Sequence, residues 1–114
     1  MEKNNLLTLR NNIDTVLAVW DELEEAGAIM HHGFDEENFG FWAKIPTRKG
    51  EDLDEDFDYA DVNVQAIPGS DSGISVKIVS TKIFKQTLDG EPSVDEVIDT
   101  IEDGMEELGI ADIL

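Results

Sequence analysis

Twelve residues, GEDLDEDFDYAD at positions 50–61, carry seven carboxylates and no base. Carboxylates at that density can bind a divalent cation, act as acid–base pairs, or form an anionic contact surface. Asp54, Asp56 and Asp58 have the one-three-five spacing of an EF-hand calcium loop. The rest of that pattern is missing. Tyr59 stands where the loop needs glycine for its sharp turn, and Gln65 where it needs a bidentate glutamate. Starting the loop at Asp52 fails too, with Phe57 and Asn63 at those places. No specific metal site is expected, and no cofactor.

His31 and His32 are the two histidines. Neighbours on an extended strand point to opposite faces, so the pair is badly placed to chelate one metal. Cysteine is absent, which excludes disulfides and thiolate zinc sites. No G-x-S-x-G elbow or phosphate-cradling glycine loop occurs, and GSDSG at 69–73 lies between strand-like stretches as a turn. Acid–base catalysis needs carboxylates whose pKa values burial has driven apart, and these acids sit in strongly polar runs. No catalytic residue is assigned, and the balance is against an enzyme.

Residues 93–108 form a second acidic stretch, with Asp95, Glu96, Asp99, Glu102, Asp103, Glu106 and Glu107 and no base. As a helix the stretch would extend about 24 Å, or one charge per roughly 3.4 Å, the rise per phosphate along one strand of B-DNA. Asp95, Asp99, Glu102 and Glu106 make the tightest row, at i, i+4, i+7 and i+11. Like charges so spaced cost a few tenths of a kcal/mol per pair. Asp95 and Glu96 recover some of this at the positive helix N-terminus, whereas Glu106 and Glu107 sit at the negative end. That placement is poor for stability and good for display.

The first acidic run adds aromatics. If Ala60, Val62 and Val64 face a core, strict alternation sends Phe57 and Tyr59 outward among Asp54, Glu55, Asp56, Asp58 and Asp61. An aromatic ringed by charge is a common interface anchor. A strand that starts late or bulges would instead fold Phe57 onto the core. The candidate partner-binding set is Asp52, Asp54, Glu55, Asp56, Phe57, Asp58, Tyr59 and Asp61, with Asp95, Asp99, Glu102 and Glu106 on the helix.

The chain has 114 residues, 27 acids against 8 bases, and a net charge of −19. Such a field repels nucleic acid and anionic membrane and attracts basic surfaces. Acid and base are also segregated, since residues 11–43, 50–76 and 86–114 contain no base at all. Halophilic adaptation would explain acidity, but the bases are mostly lysine, which a salt-adapted surface is expected to shed. At 40% hydrophobic the chain has enough apolar residues for one core. Its length suits a single domain over 1–114. The start lacks a secretory-signal layout, and no apolar run approaches the roughly 20 residues of a membrane span. A cytoplasmic protein is the default expectation.

The elements that would carry these residues are readable. Residues 5–26 form a helix whose stripe is Leu6, Leu9, Ile13, Val16, Trp20 and Leu23, stopped at Gly27. This seam could cover a sheet or support a homodimer. Four strands are expected at 28–32, 39–45, 59–67 and 74–84, the second ended by Pro46. SVDE at 93–96 is a capping box that opens a second helix, closed at Gly109. The order α-β-β-β-β-α predicts an α+β domain with an antiparallel sheet of about four strands and two helices packed on it.

Two functional readings follow. One is a non-enzymatic interaction protein that offers its acidic surface to a basic partner such as a nucleic-acid-binding protein. In composition it is similar to the small, acidic, cysteine-free DNA-mimic inhibitors of phages and mobile elements, without any shared motif. The other is a small ligand-binding or enzymatic α+β domain whose acidity is general surface solvation. An apolar pocket holding a desolvated carboxylate or histidine would favour the latter.

Overall fold

The computed structural model describes residues 2–48, 57–80, 82–109 and 111–112. Helix α1 (Lys3–Glu25) is followed by β1 (Ile29–Asp35), β2 (Gly40–Arg48), β3 (Phe57–Ile67), β4 (Gly73–Val79) and β5 (Ile83–Asp89). Helix α2 (Val94–Glu107) and a short β6 (Ala111–Asp112) complete the order. The first five strands form an antiparallel meander in chain order, and β6 pairs with β2 at Thr47 and Arg48. Among the described residues no helix is long and apolar enough to cross a membrane.

The expected α+β class stands, but the sheet has six strands rather than four. The stretch read as one strand over 74–84 is a hairpin: β4 ends at Val79, and the chain has reversed by Ile83, with the Ser80 N–H donating to the Lys82 carbonyl. Ile78 and Phe84 share a face because they are cross-strand partners, not because one strand carries both. Residues 80–82 hold no glycine or proline, the usual marks of a reversal. Nor does Pro46 end β2. It falls between the part of β2 paired with β1, which stops at Lys44, and the part paired with β6, which begins at Thr47. A missing N–H is tolerated where a strand lacks a neighbour on one side.

Alternation sets the core. Ala60, Val62, Val64 and Ala66 of β3 and Ile74, Val76 and Ile78 of β4 are buried with residues from both helices. Both helices therefore cover one face of the sheet, and Asp61, Asn63, Gln65 and Lys77 alternate onto the other.

Helix α1 keeps most of the expected stripe: Leu9, Val16 and Leu23 are buried and Ile13 and Trp20 pack against the core, but Leu6 is exposed, and Asn12 and Val19 are buried as well. Asn12 has a polar reason to be there. Its amide Nδ2 donates to the Gly90 carbonyl at 2.8 Å and reaches the Gly73 carbonyl at 3.5 Å, tying the helix to the ends of β5 and β4. Hydropathy periodicity alone cannot see a buried amide that satisfies strand-end carbonyls.

Helix α2 starts as expected. Ser93 is its N-cap, accepting from the Glu96 N–H at 3.2 Å, while the Ser93 hydroxyl faces Glu96 Oε1 at 3.4 Å. Val97, Ile101 and Met105 are buried, and Gly104 lets the helix approach Ile78 and Phe84 closely.

Candidate functional site

Helix α2 buries Val97, Thr100, Ile101, Gly104 and Met105 and rests Val94 and Ile98 on the core, which leaves its acidic side to water. Asp95, Asp99, Glu102 and Glu106 are all exposed, as are Glu96, Asp103 and Glu107. Their steps of four, three and four residues amount to rises of about 6, 4.5 and 6 Å along the axis. The last turn of the helix contains no base. Glu106 and Glu107 stand at that end in place of a cation, so their charge adds to the negative end of the helix dipole.

The other half of the expected surface is placed differently. Asp52, Asp54, Glu55 and Asp56 lie outside the described residues, and so do the side chains of Phe57, Asp58 and Tyr59. The backbone of these last three belongs to β3, where Phe57 pairs with Arg48, Asp58 with Thr47 and Tyr59 with Pro46. The strand thus starts two residues before the expected Tyr59. Asp61 stands directly opposite Lys44 on the sheet face that the helices leave open. The α2 row is on the helical side of the molecule. The structure therefore does not bring Asp61 together with Asp95, Asp99, Glu102 and Glu106 into one patch.

That open face has its own character. Cross-strand register aligns Ile29, Lys44, Asp61, Val79 and Ile83 in one row. In the next, Trp42, Asn63, Lys77 and Lys85 stand side by side. Three of the eight bases, Lys44, Lys77 and Lys85, therefore share this face, with Ile29, Trp42 and Ile83 exposed among them. Lys77 and Lys85 face each other directly, a like-charge pairing that an isolated sheet would disfavour.

Beside β1 the open face is concave. The β1–β2 register slips between His31 and Asp35, so four residue steps on β1 match two on β2. Gly33, at φ 82°, lies within this bulge. A cleft of about 560 Å³ results, lined by Gly33, Phe34 and Asp35 of β1, Phe41, Trp42 and Lys44 of β2, and Asp61 of β3. Trp42 is 39% exposed. Asp35 caps the turn to β2, accepting from the Asn38 amide at 2.7 Å and from the Glu37 N–H at 2.9 Å. The Asn38 side-chain bond, aided by the Glu37 N–H, holds the Asp35 carboxyl below its usual range. Sequence reasoning missed Asp35, Trp42 and Lys44 as a group. Alternation alone places Trp42 on the face opposite the buried Phe41 and Ala43, but only the bulge brings Asp35 beside it.

Among the described residues no group of three or more histidine, aspartate or glutamate side chains could hold a metal ion. The arrangement can offer a regular carboxylate row on one side and a mixed aromatic and charged cleft on the other. No family model, no curated protein and no solved structure matches this chain.

Proposed function

We propose that this protein is a non-enzymatic binding protein whose α2 carboxylate row docks on a basic surface of a partner. In its sharpest form the partner is a nucleic-acid-binding protein, and the row takes the place of phosphates. The observation that carries this reading is the exposure of Asp95, Asp99, Glu102 and Glu106 along a helix with no base. Three bases that could have screened them sit instead on the opposite face of the sheet. Like-charge rows cost stability, so a helix selected for stability alone would intersperse lysine. Direct nucleic-acid or membrane binding runs against the net charge of −19. A cytoplasmic setting goes with this reading.

The test compares wild type with the quadruple variant Asp95→Asn, Asp99→Asn, Glu102→Gln, Glu106→Gln as baits in a low-salt lysate, with stepwise salt elution and mass spectrometry. Nucleic-acid-binding proteins should be enriched on wild type, be displaced by added DNA or RNA, and elute as salt rises. They should be lost from the variant once circular dichroism shows it folded. Capture that ignores salt, or that the variant retains in full, would falsify the proposal.

A further inference from the structure

The cleft beside β1 combines an exposed indole with an excess of carboxylate. Asp35 and Asp61 line it against the single ammonium of Lys44, and Glu36 and Glu37 are exposed in the adjoining turn. We infer that this cleft receives an arginine side chain of the basic partner, its guanidinium stacked on Trp42 and turned toward Asp35 and Asp61. The inference rests on the proposed function in taking a basic partner, and it adds a second contact, on the sheet face opposite the α2 row.

The chemistry selects arginine over its competitors. A planar, weakly hydrated guanidinium gains from the face of an indole and still presents its edge N–H groups to carboxylates. A lysine ammonium is more strongly hydrated and forms no planar stack, so it has less to set against the repulsion of Lys44. Anions meet Asp35 and Asp61. Neutral aromatics would gain from Trp42 but leave the carboxylates unused. Lys44 and Asp61 are already engaged, yet a carboxylate offers about four lone-pair sites and can accept a further donor. Asp35 stays ionised in its turn, because the Asn38 and Glu37 donors favour its charged form. At about 560 Å³ the cleft falls within the usual ligand-pocket range of roughly 300–1,000 Å³. It can hold the guanidinium together with flanking residues of an extended segment.

The experiment uses nona-arginine and nona-lysine peptides, which carry equal charge, against the full chain at low salt. Trp20 and Trp42 are the two tryptophans, so a Trp20→Phe background makes emission report on Trp42 alone. Nona-arginine should change Trp42 emission and bind about five-fold tighter than nona-lysine, the ratio expected of one exposed cation–π contact. Trp42→Ala should bring that ratio to about one, whereas Trp42→Phe, which keeps a ring, should retain part of it. An arginine preference that survives Trp42→Ala, or arginine binding with unchanged Trp42 emission, overturns the inference. The quadruple α2 variant separates the two claims: it should weaken both peptides alike and leave their ratio intact. If it weakens neither while the ratio still depends on Trp42, the α2 reading fails and the cleft stands.

Discussion

Gly104 faces β4 and β5 from the middle of α2, and replacing it with alanine sets two effects of known size against each other. Alanine is favoured over glycine within a helix by about 1 kcal/mol. The new Cβ, however, would stand 2.6 Å from Phe84 Cδ1, 2.7 Å from Phe84 Cε1 and 2.7 Å from Ile78 Cδ1. Carbon atoms prefer about 3.5–4.0 Å, so every one of these contacts is short by roughly an ångström. Overpacking of this kind costs about 1–3 kcal/mol. Ile78 is fully buried, so its terminal methyl can turn aside only against packed neighbours, while Phe84, half-buried on β5, can tilt only by disturbing its own contacts. The steric cost should therefore win, and Gly104→Ala should destabilise by about 1 kcal/mol net. Urea unfolding followed by circular dichroism reads this as a lower midpoint with an unchanged slope. In a Phe84→Ala background the ring is gone and the Ile78 methyl can turn into the vacated space. There the same substitution should be neutral or stabilising, a coupling of about 1–2 kcal/mol. If Gly104→Ala stabilises the wild-type chain, or costs the same with and without Phe84, then close approach at Gly104 does not seat the helix. The point bears on function, because the seating of α2 aims its carboxylate row.

Asn12→Ala should cost about 1–3 kcal/mol in urea unfolding, since it strips a buried donor from the Gly90 and Gly73 carbonyls. Glu102→Gln with Glu106→Gln should raise stability by about 0.5–1 kcal/mol while weakening partner binding, because it relieves like-charge pairs and charge at the negative helix end. Asp35 should titrate below the ordinary aspartate value of 3.8 in NMR, and Asn38→Ala should move its midpoint upward. Because its folded pKa is depressed, Asp35 contributes stability that is present above the unfolded value and lost as pH falls through the folded one. An Asp35 midpoint above 3.8 would refute the turn geometry.

Much of the fold was legible along the chain. The Ser93 cap and the alternation of β3 are local patterns, and each appears in the structure as expected. Local patterns failed where a long-range contact decided the outcome. Asn12 has no place in the apolar stripe of α1, yet it is fully buried because strand-end carbonyls distant in sequence require a donor. The reversal after Val79 carried no turn residue, and its face pattern matched that of one continuous strand because partners on a hairpin share a face.

For the candidate site the same division holds. The α2 row follows from helical spacing, and its exposure follows from the apolar residues on the opposite side of the helix. These were determined by the sequence itself, because 3.6-residue periodicity needs no distant partner. Placing Asp61 on the far face from that row, and Asp35 beside Trp42, was left to tertiary structure. Which layer covers which sheet face, and where a bulge opens a cleft, depends on contacts between residues far apart in the chain. No local spacing encodes them.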